Sequence, residues 1–283
     1  MEFDVLSPAK VNLFLKVLSK RDDGFHEIVS LMQAVSLYDE ITLGIGDGDS
    51  IEVSSDDPLV PSDNTNLAYR AARLFLDTVG KDRAISIHIK KHIPVGAGLG
   101  GGSSNAATVL MCLRDALLPC LDDGRLIDMA SRLGSDVPFF IFGRPAIATG
   151  RGDILRAVTL PSYGYVLVNP GFEVSSAWSY TNLDLTKKHE DNILFYSGIL
   201  SGEPLDIRGF LVNDLEGVAV SRYPVIIRLK QRLLDAGAIG ALMSGSGPTV
   251  FGVFEDQRSA EKACPALKHG LGMSFRVFTA RGL

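Results

Sequence analysis

Five of the seven residues from Gly96 to Gly102 are glycine, within the run Pro94-Val95-Gly96-Ala97-Gly98-Leu99-Gly100-Gly101-Gly102-Ser103-Ser104. Glycine at that density costs backbone entropy, which points to a tight turn or to close approach by a ligand. The alternation Ile85, Ile87, Ile89 before the run reads as a strand, and an amphipathic stretch after it reads as a helix. Such a loop gathers backbone N–H groups at a helix N-terminus, where a phosphate meets free donors and a favourable dipole. Ser103 and Ser104 add hydroxyls that can reach a phosphate or its Mg2+. A second cluster, Gly245-Ser246-Gly247, offers backbone donors again. A β-hairpin turn would suit the same three residues, but two glycine clusters in one chain favour a phosphate role.

Several phosphate chemistries compete for the first loop. A Walker loop needs Gly-Lys-Ser/Thr, and the only Gly-Lys pair, Gly80-Lys81, is followed by Asp82. No His-Arg-Asp or Asp-Phe-Gly tripeptide occurs, which removes the protein-kinase set. Gly96-x-Gly98-x-x-Gly101 does match the dinucleotide fingerprint, a weak signal here because its neighbours do not follow a serial βαβ pattern. A nicotinamide-dependent dehydrogenase therefore stays as a rival, as does a non-enzymatic nucleotide-binding scaffold. Asp136, ahead of Val137-Pro138 and an apolar run, suits a helix N-cap and a general base equally. Lys10 opens an apolar strand-like stretch, where a solvated lysine is the ordinary outcome.

The elements that must position these residues follow from periodicity and punctuation. Strands are expected over 3–6, 11–18, 27–36, 40–45 and 50–54, with a turn at Gly46-Asp47-Gly48. A helix capped by Asn64, with the stripe Leu67, Ala71, Leu74 and Phe75, should end at Gly80. A strand over 84–90, the glycine loop, and helices over 103–118 and 125–133 follow. After Gly152 come a strand over 165–168, the turn Asn169-Pro170-Gly171, and a helix opened by Pro224 and closed by Gly237. Two strands around the Gly245 cluster, a helix over 259–268 shortened or kinked by Pro265, and a strand over 275–279 complete the chain. An α-β-β-α-β order implies an antiparallel sheet with helices on one side, hence an α+β fold. We place a soft boundary near residue 157, giving domains 1–157 and 158–283.

Composition narrows the partners. The 283 residues are 46% hydrophobic and 22% charged, and the net charge is −5 with no long run of one sign. No basic field exists to hold a polyanion, so nucleic acid is excluded as a partner and any phosphate must be held by local geometry. Cys112, Cys120 and Cys264 show no metal or redox spacing, consistent with a reducing compartment. His88 and His92 lie about 13 Å apart on a strand, too far to share zinc. The uncharged stretches 93–113 and 236–255 are broken by glycine, proline and serine, and 3–6 has no leader character. A cytoplasmic protein with no membrane partner is expected.

Pro94-x-x-x-Gly98-Leu99 followed by Gly102-Ser103-Ser104-Asn105-Ala106-Ala107 resembles the phosphate loop of the GHMP kinases. Three further segments occur in that family's order across nearly the whole chain. They are Ala9-Lys10-Val11-Asn12-Leu13 with Asp22-Asp23-Gly24-Phe25-His26-Glu27, Gly134-Ser135-Asp136-Val137-Pro138-Phe139-Phe140, and Met243-Ser244-Gly245-Ser246-Gly247-Pro248-Thr249. They are similar to members of the family that act on the cytidine diphosphate conjugate of methylerythritol. The resemblance implies a two-domain GHMP kinase fold, with a ribosomal-protein-S5-like N-terminal domain and a ferredoxin-like C-terminal domain. It implies ATP with Mg2+ as cofactors and transfer of a phosphoryl group to the substrate's 2-hydroxyl, giving the 2-phosphate and ADP on the non-mevalonate route to isoprenoids. Asp136 would be the base and Lys10 its neighbour, holding it ionised and stabilising charge on the attacking oxygen. Residues 94–104 would hold ATP, with Asn66 near adenine. His26 would read cytosine, Phe25 and Tyr180 would stack on it, Asn12 would lie near the reacting end, and Gly245, Ser246 and Gly247 would complete the substrate site. Phe25 stands where tyrosine is common in the family, and Met32 where phenylalanine is. The metal's protein ligands do not follow from the resemblance, and Ser104 is the nearest candidate.

Overall fold

The computed structural model describes residues 1–185, 207–269, 271–272 and 274–283. Two compact units interleave along the chain: 1–9, 37–95 and 100–143 form one, and 10–36, 96–99 and 144–283 form the other. Two long strands, β1 (Glu2–Lys20) and β2 (His26–Gly46), enter both units. Each fuses two expected short strands into one, because Ser7-Pro8 and Ser36 to Asp39 continue extended rather than turning.

In the first unit, β2 pairs antiparallel with β4 (Ala84–Lys90), from Glu40 opposite Lys90 to Gly46 opposite Ala84, and β3 (Ile51–Ser55) runs parallel to β4 on its other side. Ile85, Ile87 and Ile89 are buried while Ser86, His88 and Lys90 face water, the period-2 pattern of a half-buried strand. Helix α1 (Leu67–Val79) starts two residues later than expected. Asp63 holds a turn by accepting from the Thr65 N–H, and Asn66 rather than Asn64 caps the helix by accepting from the Ala68 N–H at 2.8 Å. Helix α2 (Gly101–Leu117) begins inside the glycine run, and α3 (Asp123–Ser131) is capped by Asp122. The apolar run after Asp136 forms a short helix, α4 (Val137–Phe142), the helix that the cap reading of Asp136 implies.

In the second unit, β7 (Gly164–Asn169), β9 (Gly240–Met243), β10 (Val250–Phe254) and β11 (Arg276–Arg281) form an antiparallel sheet in the order β11-β7-β10-β9. Val166, Val168, Val250 and Phe254 on one face pack with Ile226, Leu229 and Leu233 of α7 (Val225–Asp235) and Ala260, Ala263 and Leu267 of α8 (Gln257–His269). Pro265 lies inside α8 without ending it, since the buried stripe on both sides keeps the helix docked. The same unit holds β5 (Ala146–Thr149) between β2 and β6 (Ile154–Ala157), and β8 (Val212–Asn213) parallel to β1. Helices α5 (Ser176–Thr181) and α6 (Asp214–Arg222) are capped by Ser175 and Asn213. Burial, with Asp115's charge, pushes the half-buried Cys112 thiol up to about 11, the state of an unreactive thiol. No helix among the described residues is long and apolar enough to cross a membrane.

Candidate active site

The glycine loop is built by sorting its side chains. Ala97 and Leu99 are buried at 3% and 1% exposure, whereas Gly96 and Gly102 are exposed. The apolar pair pins the loop down and leaves the glycine backbone at the surface.

The carbonyls follow the same division. The oxygen of Gly96 accepts from the Val174 N–H at 3.4 Å, Ala97 from the Thr249 N–H at 3.3 Å, Gly98 from the Ser244 hydroxyl at 2.9 Å, and Leu99 from the Lys10 N–H at 2.9 Å. Four consecutive acceptors, which would repel a phosphate, are thus committed to the protein. Gly100 then takes a left-handed conformation, φ 70°, and starts α2 with no side chain capping its first turn. The helix N-terminus keeps the donors and the positive dipole end that an anion needs.

Gly245-Ser246-Gly247 connects β9 to antiparallel β10, so it is a hairpin loop, and it packs on the phosphate loop as well. At Gly98, φ is +75°, and a Cβ would lie 2.1 Å from the Ser244 carbonyl oxygen and 2.9 Å from the Gly247 nitrogen. Both are backbone atoms, so no rotamer change could relieve the contact. Gly98→Ala is therefore expected to destabilise the protein by about 1–3 kcal/mol and to raise KM for ATP. Thermal unfolding and ADP-release kinetics measure both, and a variant with parental values would show that the two loops do not depend on this contact.

Lys10 is only 4% exposed, so the solvated alternative does not hold. Its Nζ donates to Asn12 Oδ1 at 2.5 Å and lies 3.5 Å from the position a Cβ would take on Gly245. Asn12 Nδ2 donates to Ser30 Oγ at 2.8 Å, and that hydroxyl donates to the Phe14 carbonyl at 2.7 Å. A chain of hydrogen bonds thus orients the ammonium over the second glycine loop.

Sequence reasoning missed what braces that loop. Asn213 Nδ2 donates to the carbonyls of Met243 at 2.8 Å and Gly245 at 2.7 Å, and Glu216 accepts from the Met243 N–H at 2.9 Å. A signal existed: Asn213-x-x-Glu216 has the spacing of a capping box. Its reach to a loop 30 residues away did not show.

In the first unit, Ser104 is fully buried, and its hydroxyl accepts from Ser7 Oγ at 2.7 Å. Its burial and this bond count against Ser104 as a metal ligand. Ser104 joins a buried network in which Asn105 Nδ2 donates to Ser7 Oγ and to Asp39 Oδ2, both at 3.0 Å. Asp39, fully buried, pairs with Lys91 and accepts the N–H groups of His92 and Ile93 at 2.9 Å. Lys91 Nζ lies 3.1 Å from the position a Cβ would take on Gly101, so this pair braces the start of α2. Asp136 occupies the N-cap position of α4, but its backbone is helical, φ −84° and ψ −13°, and its side chain makes no capping bond. Asn66, 6% exposed, spends Oδ1 on the α1 cap and donates from Nδ2 to the Pro61 carbonyl at 2.7 Å.

Tyr180 and Phe25 each make a ring contact within the protein. Tyr180 stacks on His26 itself, centroids 4.9 Å apart and planes at 22°, while the Phe25 ring carries the Arg151 guanidinium at 5.1 Å. Burial, aided by Lys20's charge, holds the His26 imidazole below its ordinary pKa. His26 is then neutral at neutral pH, with one ring nitrogen a donor and the other an acceptor. Its NMR titration midpoint is expected below that of an unperturbed histidine, with KM for a cytidyl ligand rising only as pH falls through that lower midpoint. A midpoint at or above the ordinary value would contradict the neutral form.

The family description "GHMP kinases N terminal domain" matches residues 66–144, and "GHMP kinases C terminal" matches residues 199–271. A protein of Syntrophotalea carbinolica named 4-diphosphocytidyl-2-C-methyl-D-erythritol kinase is 50% identical over 94% of this chain and 95% of its own. A protein of the same name from Geobacter sp. (strain M21) is 47% identical over 96% of each. A crystal structure of 4-(cytidine 5'-diphospho)-2C-methyl-D-erythritol kinase superimposes with a TM-score of 0.81 at 34% identity, covering 99% of both chains. With glycine loop, buried lysine and α+β fold as described, the chain belongs to the GHMP kinases and, within them, to the 4-diphosphocytidyl-2-C-methyl-D-erythritol kinase family.

Proposed function

We propose that this kinase transfers the γ-phosphoryl group of ATP to the 2-hydroxyl of 4-diphosphocytidyl-2-C-methyl-D-erythritol, releasing the 2-phosphate and ADP. The observation that carries the ATP half is the inward commitment of four successive carbonyls, Gly96 to Leu99, ahead of an uncapped helix start. Residues 94–104 hold ATP, with backbone N–H groups that follow Pro94 meeting the phosphates and Ser103 at the start of α2. Asn66 sets the beginning of α1 beside adenine.

At the acceptor end, Asp136 takes the proton of the 2-hydroxyl as it attacks, and Lys10 stabilises the developing charge on that oxygen. Asn12 holds Lys10, and Gly245, Ser246 and Gly247 present further backbone donors to the substrate. His26 in its neutral form matches the donor and acceptor edge of cytosine, with Phe25 and Tyr180 as stacking surfaces. Residues 1–157 form the ATP-binding domain and 158–283 the C-terminal domain in this division by role.

Among the described residues there is no group of three or more His, Cys, Asp or Glu that could hold a metal ion, and Ser104 is engaged with Ser7. Mg2+ enters as the substrate Mg·ATP, ligated mainly by phosphate oxygens. The net charge of −5 supplies no field for nucleic acid, and a free small-molecule substrate in the cytoplasm completes the reading.

The deciding experiment is ADP release from Mg·ATP with and without the cytidyl substrate. Release that depends on it supports the assignment. Release that does not would discard the cytidine site, keep the ATP loop, and direct a screen to homoserine, mevalonate and related alcohols.

A further inference from the structure

A phenylalanine has no hydroxyl by which to anchor its ring, so the orientation of Phe25 depends on what covers its faces. The residue is 47% exposed, yet it is not loose. Its backbone N–H donates to Asp23 Oδ1 at 3.1 Å, and its carbonyl accepts from the Arg21 N–H at 2.8 Å. Arg21 in turn bonds Asp23 and Glu27, which staples the turn between β1 and β2.

The ring is held from outside that turn. Arg151, in the turn between β5 and β6, places its guanidinium carbon 5.1 Å from the Phe25 centroid. The guanidinium is itself fixed: Arg151 Nε donates to Asp153 Oδ2 at 2.7 Å, with the two side chains 27% and 18% exposed. The two turns are tied together where the Gly150 carbonyl accepts from the Ile28 N–H at 2.8 Å, two residues beyond His26.

We infer that Arg151 is a positioning residue for the nucleotide end of the substrate, covering one face of Phe25 so that the ring presents its other face to a pyrimidine. The inference rests on the proposed cytidyl site. A guanidinium held over the ring by Asp153 removes much of the ring's freedom before a base arrives, so less ordering remains to be done on binding. Lysine in the same place would keep the charge and lose the planar guanidinium. Asp153 takes the role of fixing Arg151, one step further from the ligand.

Arg151→Ala is expected to raise KM for the cytidyl substrate by about two- to fivefold, the scale of an exposed cation–π contact, with the change falling on that KM rather than on KM for ATP. Calorimetric titration of cytidine 5'-diphosphate into the full chain should show the same factor without any turnover. Arg151→Lys, which preserves charge at the turn, should lose at least half of that effect's affinity as well, and it decides the matter if the alanine variant folds poorly. In a Phe25→Leu background, Arg151→Ala should add nothing, because the ring through which it acts is gone. Parental affinity in the lysine and alanine variants would overturn the inference. So would an undiminished penalty in the Phe25→Leu background, which would mean that the guanidinium touches the substrate directly. If the parent protein neither binds cytidine 5'-diphosphate nor releases ADP with the cytidyl substrate, the functional reading itself fails, an outcome separate from Arg151 variants that behave like a competent parent.

Discussion

Asp136→Asn is expected to lower kcat by about 10²–10⁴-fold, the range lost when a positioned general base is removed, with little change in KM for ATP. Asparagine keeps the shape of aspartate and can still accept a hydrogen bond, but it cannot take the proton of the attacking hydroxyl. The helix that follows should not suffer, because the Asp136 side chain makes no capping bond to α4. Val137, Pro138, Phe139 and Phe140 hold that helix by burial instead. Single-turnover ADP formation with saturating Mg·ATP measures the effect, and a thermal melt shows whether the fold is intact. A variant that folds and turns over at the parental rate would remove Asp136 from the mechanism.

Asp39→Ala should cost about 3–5 kcal/mol of stability, the range seen when one partner of a buried ion pair is deleted. Asp39 is fully buried, and four groups donate to it: the Lys91 ammonium, Asn105 Nδ2, and the N–H groups of His92 and Ile93. Alanine leaves the Lys91 charge, 4% exposed, without its carboxylate, and the segment between β4 and the glycine loop loses its anchor. Urea unfolding should show a lower midpoint. Because the same network reaches Ser104 in the first turn of α2, KM for ATP should rise in whatever fraction remains folded. A loss below about 1 kcal/mol would mean that the pair adds little over a repacked apolar site. Asp39→Asn, which keeps the acceptor geometry and removes the charge, is expected to fall between alanine and the parent.

Both predictions turn on how residues distant in sequence meet, and there the limits of local pattern are visible. Local pattern favours Asn64 as the cap and the resemblance gives Asn66 a ligand contact; the turn held by Asp63 moves the helix start by two residues. Propensity cannot distinguish two asparagines two positions apart, because each suits a cap. Asp39 gave no signal, since a single acidic residue in a strand usually faces water. Its burial comes from pairing with Lys91, 52 positions away, across the β2–β4 ladder. The resemblance puts Tyr180 at the base-binding end, but its stacking on His26 depends on how α5 lies against the start of β2.

Local chemistry was enough for much of the rest. The glycine density between a strand and a helix, the alternation in β4 and the α-β-β-α-β order of the second half pointed to an α+β fold with a phosphate loop, and the four motifs pointed to the GHMP kinases by resemblance. Those features act over a few residues, through backbone freedom, side-chain period and charge. Tertiary structure decided which carbonyls of the glycine loop turn inward, that Lys10 is buried rather than solvated, that Ser104 bonds Ser7, and that Arg151 covers Phe25. Each of these is a contact between segments separated by tens to hundreds of residues. The closing of those loops is set by packing and hydrogen-bond satisfaction throughout a unit, which no local run of sequence contains.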